Sequence, residues 1–358
     1  MEIAVLGGGN GSLAAAADLT EHGRRVRLWR RDPAIVAEMQ RAGPLILKDH
    51  EGSRPVEIAV MTSDLAEAVA GAELIVCPTP AMAQPDIAAR LTPLLSDGQV
   101  VFMPPGTFGT YLMAKAMREA GNTADASFAE AGTLPWLTRK HGAETIAITT
   151  RASRLPTGVL PLKNKEHTLA VIRRAFPSVE DAGDGLSGAL MNAGPIIHPP
   201  LILMNAGPIE HFERWDIHNE GTQPSIRRVT DALDAERIAT REVLGYRGPH
   251  FPLIDHYTTS NWMYGNLAHD KLTDSGDWRE RLVLSEHRYM REDVAMGLAF
   301  LVSVAEWAGV PCPVARGLLA LGSAICGEDF RQTGRTLESL GVSGMDRSAM
   351  SAMLEVGP

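Results

Sequence analysis

The sequence predicts an α/β protein in two parts, a doubly wound parallel sheet over residues 1–183 followed by an all-α helical bundle over residues 184–358. Three observations predict it. Apolar β-branched runs alternate with helical patterns up to about residue 180, as they do in chains built from βαβ units. A glycine-rich turn, Gly7-Gly8-Gly9-Asn10-Gly11-Ser12, follows the first of those runs directly. After Glu180-Asp181-Ala182-Gly183-Asp184-Gly185, where glycine and acid leave no apolar periodicity, the pattern becomes helical, so this stretch is the expected linker.

Taken in order, the expected strands are Ile3 to Gly7, Val26 to Trp29, Leu74 to Pro78, Val100 to Met103 and Ala126 to Ala129, each ending near glycine, proline or charge. Ser12 to Glu21 reads as a helix whose Leu13-Ala14-Ala15-Ala16-Ala17 run is small enough to lie close on a sheet. Residues 44 to 60 and 144 to 162 look like short strand pairs appended to that core. In the second part Ser225 is placed as a cap before Ile226, Val229 and Leu233 at helical spacing. Val294 to Trp307 is apolar nearly all round until Gly309-Val310-Pro311 stops it, which marks a helix buried at the centre of a bundle. Met191-Asn192-Ala193-Gly194-Pro195-Ile196 recurs as Met204-Asn205-Ala206-Gly207-Pro208-Ile209, too short a period for a repeat architecture.

Composition narrows the function classes. The 358 residues are 45% hydrophobic, enough for a large core in two domains. A net charge of -9 argues against a nucleic-acid partner, which would require a basic surface. Cys77, Cys312 and Cys326 are odd in number and form no CxxC, so neither a disulfide scaffold nor a metal site is expected. The first strand begins at Glu2 without the basic start of a signal peptide, and Val294 to Ala305 is too short to span a bilayer. A cytoplasmic protein with no membrane partner is expected.

The glycine turn is the first candidate site. Gly7-x-Gly9-x-x-Ser12 matches the dinucleotide-binding pattern of Rossmann-type sheets, with Ser12 at its last small position. Gly7 makes the tight turn, and Gly9 lets backbone N–H groups approach a pyrophosphate at the start of the next helix, which carries Asn10 and Gly11. About 20 residues on, where a carboxylate would hold the ribose of NAD, the chain reads Arg30-Arg31-Asp32. Two guanidinium groups suit a 2′-phosphate, so NADP(H) is favoured and NAD(H) is the alternative. In the plainer reading these are solvated residues at a strand end, with Asp32 as ribose ligand or as the N-cap before Pro33. Thr79 and the pair Pro105-Gly106 follow other strands and are placed near the nicotinamide ribose, although such residues also end ordinary strands.

Catalytic candidates lie downstream. His198 sits in Asn192-Ala193-Gly194-Pro195-Ile196-Ile197-His198-Pro199-Pro200, where a helix should end or kink and could aim an imidazole into the interdomain cleft. A structural histidine is the alternative. Asp293, at the head of the apolar helix, would orient that imidazole or simply cap the helix. Arg288 would clamp a carboxylate in a fork, or be a solvated surface arginine.

These segments together resemble the opine dehydrogenase family, of the NAD/NADP octopine and nopaline type that includes enzymes making N-(1-carboxyethyl)amino acids. The resemblance rests on Gly7 to Gly11, Asn192 to Pro199, Glu220-Gly221-Thr222-Gln223-Pro224-Ser225, Asp234-Ala235-Glu236-Arg237, Arg288 to Val294, and Asp329 to Leu337. It implies a catalytic pair at His198 and Asp293, a carboxylate-binding arginine at Arg288, and a substrate or nicotinamide contact at Asn192. The implied reaction is the reductive condensation of an α-keto acid such as pyruvate with an amino acid. Arg30, Ser12 and Gly194 depart from the usual pattern. The segment His256 to Tyr264 is expected to contribute to amino-acid selection, or to be a mobile surface loop.

Two other functions share this architecture. A 2-hydroxy-acid or polyol-phosphate dehydrogenase would rely on a lysine in the helical part, where Lys271 stands alone in a polar setting. A non-catalytic NAD(P)-binding sensor would have no need of His198, Asp293 and Arg288 together. The helical part offers surfaces for a homodimer, but no periodic seam commits it to one.

Overall fold

The computed structural model describes residues 1–265, 268–276, 279 and 281–358. They form two compact units, Met1–Ala189 with Ala352–Pro358, and Leu190–Ser351.

In chain order the strands of the first unit are β1 (Glu2–Leu6), β2 (Arg25–Trp29), β3 (Leu45–Asp49), β4 (Gly52–Val56), β5 (Val60–Thr62), β6 (Leu74–Val76), β7 (Val100–Met103), β8 (Ser127–Ala131), β9 (Trp136–His141), β10 (Thr145–Arg151), β11 (Leu155–Leu160) and β12 (Val179–Asp184). One sheet runs β12-β11-β8-β7-β6-β1-β2-β5 and is parallel except where β11 runs against β8. Ile3 to Leu6 are wholly buried, as a parallel strand covered on both faces requires. The sheet grows from β1 through β2 to β5 on one side and restarts with β6 on the other. Its switch point therefore lies between β1 and β6, where sheets of this kind bind ligands beyond their carboxyl ends.

The helix Asn10–Glu21 leaves the turn after β1 and buries Ala14 to Ala17 completely, and the small methyl groups of that run allow a close approach. A second sheet, β4-β3-β10-β9, is fastened to this helix by charge. Asp18 accepts hydrogen bonds from Trp136 Nε1 at 2.8 Å and Arg151 Nε at 2.7 Å. Arg151 also donates to Asp49, and Arg54 binds Asp49 and Glu21. Hydrogen bonding by Arg54, supported by Arg151, holds the Asp49 carboxyl well below the usual carboxylate range.

Three expectations are corrected. Residues 144 to 162 are not a strand pair: β10 joins the small sheet, whereas β11, buried along its whole length, enters the large one. Glu180 to Gly185 is no linker, because β12 pairs with β11 and the helix Gly185–Ala189 follows it. An edge strand needs only its backbone ladder, and its acidic side chains are neutralised by Arg154–Glu180 and Lys165–Asp181 ion pairs. The first unit accordingly runs to Ala189. In the second unit the cap of the helix Pro224–Val243 is Gln223, with Pro224 at its first position, and Ser225 lies inside it.

The second unit is helical, with no strand among its described residues. At its centre a π-helical stretch, Tyr289–Leu298, continues as the α-helix Ala299–Trp307. Met290, Val294 and Leu298 are fully buried, as the all-round apolar sequence predicts. The Asp234–Arg237 pair is buried too, and joins the carbonyls of Leu190 and His250 to the N–H of Leu253. Glu236 accepts the Val314 and Ala315 N–H groups at 2.8 and 2.9 Å, capping the helix Pro313–Cys326 from outside.

Candidate active site

In the first unit the glycine turn is shaped by three contacts. Gly7 adopts a φ of 105°, open to glycine, and a Cβ on it would meet Ser12 Oγ at 2.8 Å. That hydroxyl donates to the Leu6 carbonyl at 3.0 Å, so Ser12 ties the turn shut. The close-packing role belongs to Gly11, where a Cβ would lie 2.8 Å from Leu134 and 3.1 Å from Pro78. Gly9 has open space where its side chain would be, and the helix behind it has no side-chain cap. Its first N–H groups are thus left to an incoming acceptor. Asn10 opens that helix with its side chain engaged, accepting the Lys140 N–H at 3.0 Å.

Arg30 folds back onto the turn. Its guanidinium fills the space beside Gly8, where a Cβ would come within 1.8 Å of Cζ, and Nη1 lies 3.4 Å from the Gly8 carbonyl. Burial lowers its pKa, with Asp32 opposing. The expected pair of guanidinium groups does not form, because Arg31 is exposed and faces Asp86 at 3.5 Å. Consecutive residues leaving a strand point to opposite sides. Asp32 caps the helix Pro33–Ala42 by accepting the Ala34 N–H at 2.8 Å.

Thr79 stands beside the turn, its Cγ2 3.4 Å from where a Gly7 Cβ would be. Pro105 is partly accessible, whereas Gly106 is buried against Glu130 and has a packing reason to be glycine. Sequence reasoning missed Glu130. Fully buried, its carboxylate accepts Phe108 N–H at 2.8 Å, Thr110 N–H at 3.2 Å and the Thr110 hydroxyl at 2.5 Å, and so orders the loop after β7.

The second unit brings together His198 and Asp293, 95 residues apart, with Nδ1 of the imidazole 2.8 Å from Oδ2. His198 lies within the helix Gly194–Leu203, which continues through Pro199 and Pro200 rather than breaking as expected. Asp293 lies in the middle of the π-helical stretch, so the N-cap reading fails. Glycines let the two helices meet. A Cβ on Gly194 would come 2.2 Å from Asp293 Oδ1, and one on Gly297 would come 2.1 Å from Pro195. Asn192 is buried in the same corner, with its Oδ1 accepting the Gly194 N–H at 3.0 Å. Asn205, its counterpart in the short repeat, instead binds Leu201, Gly221 and Trp215 as a packing residue.

Burial pushes the Asp293 carboxyl up to about 7, with Arg288 and His287 pulling it down. Two groups in such contact titrate as a pair. The contact with Asp293 occupies Nδ1, one of the two ring nitrogens of His198. Arg288 is exposed, although protein crowds its head group. Desolvation, the largest influence, lowers its pKa, and Tyr289, Asp293 and Glu292 together raise it above the ordinary arginine value. Among the described residues no carboxylate forms an ion pair with it. Tyr289, unassigned from sequence, stacks on His198 with ring centres 3.7 Å apart.

The segment His256 to Tyr264 exposes Thr258, Ser260 and Asn261 but is anchored by buried residues at both ends. Trp262 and Met263 are almost wholly buried, His256 packs on Trp262 at 4.6 Å, and burial pushes the His256 imidazole down to about 3. Lys271 is exposed on the helix Ala268–Ser275.

Two family models match the chain. One is NAD/NADP octopine/nopaline dehydrogenase, alpha-helical domain, over residues 182–326, and the other is NAD-dependent glycerol-3-phosphate dehydrogenase N-terminus, over residues 2–105. The chain is 28% identical to the opine dehydrogenase of Arthrobacter sp. strain 1C over 355 residues, which span 98% of each protein. The structure of octopine dehydrogenase in complex with NADH and agmatine superposes with a TM-score of 0.74 at 18% identity, over 99% of this chain and 98% of the other. Yersinopine dehydrogenase bound to NADP+ gives 0.66 at 16% identity, over 99% and 98%.

Proposed function

Because this chain belongs to the opine dehydrogenase family, we propose that His198 and Asp293 are its acid/base pair and that Arg288 binds a substrate carboxylate. The reaction is the NAD(P)H-dependent condensation of an α-keto acid with the amino group of an amino acid, through an imine, to an N-(carboxyalkyl)amino acid and water. One proton is taken up as NAD(P)H is oxidised. The 2.8 Å contact between His198 and Asp293 carries the assignment.

The residues of the first unit fit the cofactor: an open Gly9, a helix start without a side-chain cap, and a basic group against the turn. Gly7 to Ser12 would hold its phosphates, with Thr79 and Pro105 beside the nicotinamide end. A bound nicotinamide supplies the hydride that reduces the imine carbon. His198 polarises the carbonyl or imine and exchanges the proton through Nε2, while Asp293 fixes the ring and offsets its charge. Arg288 holds a substrate carboxylate in a two-pronged hydrogen bond, and Asn192, buried near the same glycine as Asp293, is read as a contact to substrate or to the nicotinamide amide.

Arg30 supports a preference for NADP(H), since a guanidinium stands where a ribose-binding carboxylate is usual. Octopine dehydrogenase structures hold NADH with pyruvate or L-arginine, and a keto acid and an amino acid are the substrates we assign to this chain too. The segment around His256 and Trp262 is read as selecting the amino acid. Free thiols at Cys77, Cys312 and Cys326 support a reducing, cytoplasmic compartment, and a homodimer is the assembly to test. The experiment is NAD(P)H oxidation with pyruvate and a panel of amino acids. Turnover that requires both substrates, and that is lost in His198→Ala, supports the reading. Turnover with the keto acid alone overturns it.

A further inference from the structure

We propose that Tyr289 is the positioning residue of the acid/base site, its ring setting the plane of the His198 imidazole while Asp293 sets the rotation within that plane. This role rests on the assignment of His198 to the acid/base pair.

A hydrogen bond at Nδ1 does not by itself take away an imidazole's freedom to tilt about that bond. Stacking removes this freedom. The His198 and Tyr289 rings are 3.7 Å apart and 13° from parallel, and Tyr289 is itself buried to within 2% of full coverage, so the platform cannot swing aside. Both constraints come from one short stretch of chain, because Tyr289 and Asp293 lie four residues apart on the same π-helical segment. Rotation and plane are therefore fixed by a single rigid element.

The ring has two further neighbours. His218 meets the His198 ring edge-on at 5.9 Å and 78°. The Arg288 Cζ lies 5.1 Å from the Tyr289 ring centre, so the tyrosine also touches the residue read as the carboxylate clamp. The groups bearing on His198 are then Asp293, Tyr289 and His218 directly, with Arg288 and His287 next to them. The electron-rich face of a phenol favours a cation over it, so the stack stabilises the imidazolium that forms when His198 holds the proton.

Tyr289→Phe keeps the face and should keep kcat within about twofold. Tyr289→Leu, and Tyr289→Met, which fills the space without a flat ring, should each lower kcat by about 10- to 100-fold, as expected when a reacting group loses its alignment. The keto-acid KM should change less, the NAD(P)H dissociation constant should not change, and the pH limb of kcat/KM that reports the His198–Asp293 pair should move to lower pH. In a His198→Ala background Tyr289→Leu should cost nothing further. Wild-type kcat and pH profile in folded Tyr289→Leu or Tyr289→Met would overturn the proposal, as would the same loss in the His198→Ala background. Wild-type turnover in His198→Ala alone would instead overturn the assignment of His198.

Discussion

Oδ1 of Asp293 occupies the space that a side chain on Gly194 would need, 2.2 Å from where its Cβ would stand. The glycine is therefore part of how the carboxylate reaches the imidazole. Gly194→Ala should displace Asp293 and lower kcat by about 10- to 100-fold, the range expected for misplacing a catalytic group by about 1 Å. Cofactor affinity, measured by fluorescence titration with NADPH, should stay unchanged. A wild-type kcat would show that Asp293 has another resting place.

Removing the pair itself should cost more. Asp293→Asn and His198→Ala are each expected to lower kcat by about 10²- to 10⁴-fold, the usual worth of a general acid or base. Residues acting as a unit are not additive, so the double variant should be little worse than the poorer single one. Multiplying losses in steady-state assays would mean that the two act separately.

Asp293 also predicts a pH dependence of stability. Its carboxyl rises from 3.8 to about 7 on folding, so between those values the folded chain binds the proton that the unfolded chain has released. The stabilisation is complete below about 3.8 and is lost as pH rises through about 7. Asp293→Asn lacks this loss, so the melting temperature of the variant relative to wild type should be higher at about pH 8 than at about pH 4.5. An equal difference at the two pH values, by calorimetry, would exclude the effect.

Cofactor choice should turn on Arg30. Replacing it with glutamate puts an acceptor for ribose hydroxyls where the guanidinium proposed to meet a 2′-phosphate stands. The ratio of kcat/KM for NADPH over NADH should fall by about tenfold or more, since a charged hydrogen bond contributes about 1.5–3 kcal/mol. Arg31→Glu should matter less, because that side chain faces Asp86 instead. Equal effects of the two substitutions would contradict the arrangement.

Much of this was legible in the chain and some was not. The glycine turn, the strands β1, β2, β6, β7 and β8 and the buried apolar helix follow from local pattern, because each residue there meets neighbours close in sequence or an unbroken apolar environment. The pairing of β12 was hidden, since an edge ladder is built from backbone and its acidic side chains carry no strand signal. The close-packing position falls to Gly11 and not to Ser12, because a hydroxyl's partner, here the Leu6 carbonyl, depends on how tightly the turn closes. The contact between His198 and Asp293 follows the reading of Asp293 as the orienter of that imidazole, but the helix is expected to end or kink near Pro199, and the alternative reading makes the aspartate a helix cap. Neither happens, and Tyr289 went unassigned because a stack between residues so far apart in sequence leaves no periodic trace. Glu130 could have been suspected as a lone acid in the apolar strand Ser127–Ala131.

The π-helical stretch Tyr289–Leu298 has a consequence for how this region tolerates change. A π turn spans one residue more than an α turn, so its geometry depends on the length of the segment as well as on its side chains. Deleting any one residue between Met290 and Glu292 would rotate the downstream residues by one helical step relative to Tyr289, somewhat less than the roughly 100° of an α-helical step. Asp293 would leave the face it shares with the His198 stack, even with every remaining side chain intact. Here the spacing of the letters carries information that substitution experiments alone would never reveal.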